Sequence, residues 1–332
     1  MAVSKKRKNV VVIGGGTGTF TVLTGLKKYP LDLTAIVAMS DSGGSTGILR
    51  DELGVLPPGD VMRCLIALSS SDKLMRTLMD YRFEGGKLKG HRFGNLLISA
   101  LEKTSGSFDE AVEKASDVLR IRGRVVPATL DKVHLMAQVG TRIIRGEERI
   151  QTAHLNGSLK HLWLEPVARA NPKALAAIRK ADVIIIGPGN FYASVLPNLL
   201  VRRIPETIRK SRAKKIYICN LMTKKEHTRG WSVADHAYAL EKHLGGPVDI
   251  VIYNNKKPAE NILKTYAREG DTLTSWDNLP RKRTLIGSNL MSRHRVLDKI
   301  GAAAKESSLV RHDAGKLASM IAKIVGVEKK TS

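Results

Sequence analysis

The run Asn9-Val10-Val11-Val12-Ile13-Gly14-Gly15-Gly16-Thr17-Gly18-Thr19-Phe20, continued by Val22, Leu23 and Leu26, decides the fold. Four apolar residues in a row suit a strand buried on both faces. The glycines then end it, and the apolar residues that follow return at helical spacing. Strand, tight turn and helix make the first half of a βαβ unit. Such a turn frees backbone N–H groups at the positive end of the helix dipole, where a phosphate can sit. The dinucleotide fingerprint G-x-G-x-x-G fails at Thr19, and no Gly-Lys-Ser/Thr follows, so neither a standard Rossmann fingerprint nor a P-loop is present. Tight packing alone is the competing explanation of the glycines.

The same rhythm recurs outward from this run. Strands are expected at residues 34–39, 182–186, 215–219 and 248–253, each followed by a Gly- or Asn-bearing loop and then a helical pattern. The expected fold is α/β, a Rossmann-like three-layer sandwich with a mostly parallel sheet whose loops gather at its carboxyl edge. Between about 60 and 120 the pattern is wholly helical (Leu65, Leu68; Leu74, Leu78; Leu96, Leu97, Ala100, Leu101) and reads as a helical insertion. Residues 124–165 alternate at Val133, Leu135 and Ala137 and read as a small antiparallel β extension. Residues 270–308 fit no element. Leu317, Met320, Ile321 and Ile324 form a last helix, with Asp313 placed to cap it. The expectation is one domain over 9–326, with residues 1–8 and 327–332 as disordered charged tails.

Composition narrows the function. The 332 residues are 42% hydrophobic, enough for a large core, and 55 Lys and Arg against 31 Asp and Glu give a formal charge of +24. That charge favours polyanions or small phosphorylated ligands. Cys64 and Cys219 lie far apart without CxxC spacing, which argues against a disulfide framework or structural zinc and fits a reducing cytoplasm. No stretch has the length of a membrane span or a signal peptide.

Three further loops carry polar chemistry. The second strand runs into Asp41-Ser42-Gly43-Gly44-Ser45-Thr46, then Arg50. Asp41 can accept from a ribose or help hold Mg²⁺, the small residues form a second phosphate cradle, and Arg50 suits bidentate phosphate binding. Asp60 opens the helical stretch after Pro57-Pro58-Gly59 as a helix cap with a potential second role, and Asn95 precedes another helix. Gly187-Pro188-Gly189-Asn190 ends one strand, with Ser194 beyond it; Asn220 to Thr223 and Asn254-Asn255 end the next two. Neutral amides at three strand ends suit a sugar or a base edge. No compact nucleophile or metal signature appears, and the nine histidines show no regular ligand spacing.

At these loops the sequence resembles the CofD-like superfamily, specifically its gluconeogenesis-factor (YvcK-like) branch. The resemblance rests on IGGGTGT (13–19), SDSGGSTGILRDELGVLPPGD (40–60), YRF (81–83) with GHRFGNLLISALE (90–102), RGRVVPATLDKV (122–133), GPGNFYASVLPNLL (187–200), YICNLMT (217–223) and RHDAGKLA (311–318), in family order. It implies a cytoplasmic bacterial protein needed for growth and normal shape on gluconeogenic carbon sources, binding UDP-N-acetylglucosamine and without an established catalytic activity. The implied site comprises Gly14, Gly15, Gly16, Thr17 and Gly18; Asp41 to Thr46; Asp60; Asn95; Gly187, Gly189 and Asn190; and Asn220, Met222 and Thr223. Tyr266 and Arg311 match residues implied to support nucleotide-sugar binding. Three departures stand out: the arginine after the proline pair is displaced by one position, to Arg63; Glu226-His227-Thr228 replaces a Gly-Glu-Thr turn; and Ala314 stands where some members carry a phosphorylatable threonine.

Two readings follow. In the first, the protein is a nucleotide-sugar sensor that requires no cofactor: phosphates lie on the two N-terminal glycine loops, Arg50 and Arg311 offset charge, and protein partners are unidentified. In the second, it is a transferase like the related phospholactate transferases, with Asp41 and Asp60 holding Mg²⁺. Basic runs at Lys5 to Lys8, Arg202-Arg203, Arg209 to Lys215 and Arg281 to Arg283 read as a solvated surface, since aromatics are only 5% and no RNA-binding motif accompanies them, so nucleic acid is not the expected partner. A homo-oligomer is compatible with the sequence.

Overall fold

The computed structural model describes residues 7–155, 157–277, 284–292 and 310–329. Seven parallel strands form the main sheet: β1 (Lys8–Gly14), β2 (Leu31–Val37), β3 (Arg124–Pro127), β7 (Val183–Ile186), β8 (Lys214–Ile218), β9 (Ile250–Asn254) and β10 (Thr284–Ser288), in spatial order β10-β9-β8-β7-β1-β2-β3. The chain leaves β1 toward β2 and β3, and later returns on the other side at β7. The order therefore reverses between β1 and β7, the place where open α/β sheets leave a crevice.

Alternation within β1 explains the three layers. Val10 and Val12 enter one core with α1 (Gly16–Leu26), α3 (Gly59–Leu68), α6 (Phe108–Val118) and α13 (Ala314–Val325). Val11 and Ile13 enter the opposite core with α8 (Pro172–Lys180), a π-helical turn (Phe191–Val195), α9 (Leu196–Leu199), α10 (Ile204–Lys210) and α11 (Val233–Leu244). Strands buried on both faces need apolar residues at every position, which is why the run from Val10 to Ile13 does not alternate with polar ones.

Between β2 and β3 lie α2 (Gly44–Leu53), α3, α4 (Lys73–Asp80), α5 (Phe93–Ser105) and α6. Leu65 and Leu68 are fully buried there, whereas Leu74 and Leu78 are exposed. Residues 124–165 divide. β3 joins the main sheet beside β2, which corrects its assignment to the antiparallel extension, and only β4 (His134–Val139), β5 (Arg142–Arg145) and β6 (Leu159–Glu165) form the three-stranded antiparallel sheet. α7 (Glu147–Thr152) follows β5, and α12 (Glu260–Glu269) follows β9.

The expected tails are shorter than drawn. Lys8 already belongs to β1, Arg7 pairs with Asp32, and Val327 packs against the core. Residues 1–6, 330–332 and the Arg281 to Arg283 run lie outside the described residues. Cys64 and Cys219 are both buried free thiols. Among the described residues no helix is long and apolar enough to cross a membrane.

Candidate functional site

A cleft of about 910 Å³ opens over the carboxyl edge of the sheet at the β1/β7 reversal. Its walls include Gly15 to Gly18, Asp41, Gly43 to Thr46, Asp60, Asn95, Gly189, Asn190, Asn220, Met222, Thr223, Tyr266 and Arg311, so most of the residues expected from the sequence meet in one place. Gly15 and Gly44, from the two N-terminal loops, share this wall. Helices α1, α2, α3 and α5 all begin here, with Gly15, Gly43, Pro58 and Arg92 as N-caps, and none of the four caps places a side chain on the first-turn N–H groups. α4, α6, α8, α11 and α13 are capped by Asp72, Ser107, Asn171, Ser232 and Asp313, the last beside His312 of the cleft wall, while α10 and α12 have no side-chain cap. Uncapped N-termini facing a cleft are ready anion donors.

The glycines split between packing and the cleft. A Cβ at Gly18 would stand on the Pro188 carbonyl oxygen, so the β1 and β7 loops touch there backbone to backbone. Gly16 and Gly44 adopt φ of +62° and +44°, a region that favours glycine, and Gly44 has open space in front of it. Gly14 and Gly187 pack against Thr19 behind the cleft and do not line it. Packing therefore accounts for Gly14, Gly18 and Gly187, while Gly16 and Gly44 line the cleft.

Several expected ligand contacts are engaged within the fold. Asn220 clamps the β7 loop, accepting from the Gly189 N–H at 3.0 Å and donating to its carbonyl at 2.8 Å. Asn190 accepts from Ala193 N–H and caps the π-helical turn. The Thr223 hydroxyl is 2.7 Å from that of Thr272. Asn254 braces the chain at Lys256 and Leu290 and is absent from the cleft wall. Ser42 turns away and accepts from the Glu148 N–H. Tyr266 accepts from the Val310 N–H at 3.0 Å, which holds the segment carrying Arg311 against α12.

Arg50 is misplaced by the sequence reading. It donates to the carbonyls of Asp41 and Val133 and lies against His134, outside the cleft wall. Six residues along α2 at 1.5 Å each put it about 9 Å from the helix N-terminus where an anion would sit. Arg63 takes the place intended for it. It lies in the wall and donates to Thr17 Oγ1 at 2.9 Å, so its displacement by one position does not remove it. The spacing from Asp60 to Arg63 is i to i+3, one helix face, and could have revealed it.

The sequence reading also missed an acidic wall. The turn after β5 brings Glu147 and Glu148 to the cleft opposite Asp41 and Asp60. Burial first, then the Asp41, Asp60 and Glu148 charges, push Glu147 up to about 8. Burial and the Asp41 charge push Asp60 up to about 7, against Arg63 and the Gly16 N–H. Asp41 is raised by burial, opposed by the Gly43 N–H, the Thr46 hydroxyl and Arg63. Facing this wall are Arg63, Arg82, Arg92, Lys224 and Arg311. His312 also lines the cleft; burial lowers it to about 4, so its imidazole is neutral. His227, within the departure from the family turn, lies in the wall with its Nε2 3.0 Å from the Ile150 carbonyl oxygen. Among the described residues no three acidic, His or Cys side chains assemble into a metal site made by protein alone.

Residues 10–293 match the family model described as 2-phospho-L-lactate transferase CofD. The chain is 40% identical over 321 residues to a gluconeogenesis factor of Halalkalibacterium halodurans, spanning 95% of this chain and 96% of that one. It is 38% identical over 320 residues to a gluconeogenesis factor of Bacillus subtilis, spanning 95% and 98%. The crystal structure of a UPF0052 family protein from Bacillus halodurans superimposes with a TM-score of 0.87 at 38% identity, covering 96% of this chain and 99% of that one.

Proposed function

The chain belongs to the CofD family, and from that premise we propose that it is a gluconeogenesis factor whose cleft binds a nucleotide sugar, UDP-N-acetylglucosamine, in a regulatory role needed for growth and cell shape on gluconeogenic carbon. The observation that carries this reading is the convergence of uncapped helix N-termini and two glycine loops at the β1/β7 reversal. A diphosphate there would take N–H groups of both loops other than those of Gly16 and Gly43, which Asp60 and Asp41 accept, with Arg63 and Arg311 offsetting its charge. Ligand binding would bias conformation or partner choice through unequal affinity for two states. Titration calorimetry with UDP-N-acetylglucosamine should give saturable heat that Arg311→Ala weakens at least tenfold. No heat at 1 mM ligand contradicts the reading.

The acidic wall supports a second reading. Asp41 and Asp60 are hard oxygen donors whose carboxyls are both raised, chiefly by burial, and Mg²⁺ is commonly bound by one or two carboxylates together with substrate phosphates. A transferase would use that ion to offset charge on a nucleotide conjugate. Magnesium-dependent turnover of such a conjugate, lost in Asp41→Asn, would favour it over the sensor.

A further inference from the structure

Because all the main-sheet strands run one way, their starts and the C-terminal ends of the covering helices gather at the edge opposite the cleft. Basic residues collect there. Lys28 follows α1, Arg122 and Arg124 lead into β3, Lys180 ends α8, and Arg212 and Lys214 lead into β8; all six are exposed. A second cleft of about 1180 Å³ opens at this edge, with Lys28, Arg122, Arg124 and Lys180 in its wall.

Most acidic residues of the edge are already engaged, while Asp117 stands exposed in the cleft wall. Asp182 accepts from the Asn9 N–H at 2.8 Å, Asp249 accepts from the Lys215 N–H at 2.7 Å, Asp32 pairs with Arg7, and Asp109 and Glu113 share Lys173. The helix dipole accounts for Lys28 and Lys180 at helix ends. It does not account for Arg122, Arg124, Arg212 and Lys214 at strand entrances. Lys27 is held below the usual lysine range first by burial, and then by the nearby charges of Arg76, Lys28 and Arg122. None of the exposed large apolar side chains among the described residues lines this cleft. It therefore offers neither the apolar anchors of a protein interface nor those of a membrane-binding face.

We propose that the amino edge of the sheet binds the phosphodiester backbone of a nucleic acid without reading its bases. Contacts to phosphate need only Lys and Arg, and the scarcity of aromatics that excludes base-stacking modules does not bear on them. From β3 to β8 there are four inter-strand steps of about 4.8 Å, a band of about 19 Å. At a rise of about 3.4 Å per phosphate along one strand, the band faces roughly five to six phosphates, for a salt slope of about −4 to −5.

The test is fluorescence anisotropy of a labelled 20-nucleotide single-stranded RNA and, separately, a 20-base-pair DNA duplex, titrated with the full chain between 50 and 300 mM KCl. Binding of either with that slope, weakened at least tenfold and made shallower by about 2 in the R122E/R124E/K214E variant, supports the proposal, and the tighter of the two names the form of nucleic acid. The same variant should keep its UDP-N-acetylglucosamine heat. Should it melt early, K28E/K180E gives the same readout from other elements. No binding of either nucleic acid at 20 µM protein and 50 mM KCl, undiminished binding by a folded variant, or tighter binding to poly-L-glutamate, which would mark an acidic protein partner, each overturns it.

Discussion

Gly18→Ala probes the contact on which the cleft is built. The added Cβ would lie 1.8 Å from the Pro188 carbonyl oxygen, where real Cβ contacts essentially never fall below 3.0 Å, so the β1 and β7 loops must part by about 1.2 Å. The obstacle is backbone, not a side chain that can rotate away. The cost therefore falls at the upper end of overpacking, about 3 kcal/mol. With an unfolding entropy of about 2.1 cal/mol/K per residue, 332 residues give about 0.7 kcal/mol/K, and Tm should fall by about 4 °C. The same displacement moves the first N–H groups of α1 away from those of α2, so nucleotide-sugar affinity should drop about tenfold, the equivalent of one charge-assisted hydrogen bond. Gly44→Ala is the contrast: it meets open space but must adopt φ +44°, a local strain of about 1–2 kcal/mol that leaves the β1–β7 contact intact. Differential scanning calorimetry and titration calorimetry read both effects. A Gly18→Ala protein that melts within 1 °C of the parent and binds equally refutes the claim that the two loops are braced against each other.

The two arginines should separate cleanly. Arg63→Ala is expected to weaken ligand binding about tenfold or more, whereas Arg50→Ala should cost about 1–3 kcal/mol in urea denaturation and change affinity less than twofold, since its bonds go to Val133 and Asp41 carbonyls. Asn198, fully buried, donates to the Gly14, Ser194 and Val195 carbonyls, and Asn198→Ala should destabilise by about 2–4 kcal/mol in the same assay. A carboxyl raised by folding favours the protonated folded state, so Glu147, pushed up to about 8, costs nothing below the unfolded value near pH 4 and its full penalty above pH 8. Glu147→Gln should therefore raise Tm relative to the parent at pH 8.5 and do so far less at pH 5.5; an equal effect at both pH values contradicts that origin.

The five strands legible in the sequence, β1, β2, β7, β8 and β9, are those buried in the middle of the sheet, where both faces demand apolar residues. The two main-sheet strands that escaped, β3 (Arg-Val-Val-Pro) and β10 (Thr-Leu-Ile-Gly-Ser), are edge strands. An edge strand tolerates the Pro127 ring and polar ends, so its apolar run is too short to announce itself. The glycine loops were visible because their chemistry is local to the chain. Glu147 and Glu148 were not, because only the fold-back of β4 and β5 carries them across more than a hundred residues to Asp41. Asn220 carries a role its sequence position did not announce: within the cleft wall its amide accepts from and donates to Gly189, which fixes the β7 loop.

A crystal structure of the protein with UDP-N-acetylglucosamine bound tests the central claim most directly. The diphosphate should lie within about 3 Å of backbone N–H groups from both the Gly15 to Gly18 and the Gly43 to Thr46 loops. A ligand held elsewhere on the molecule, or one whose phosphates touch neither loop, would contradict it.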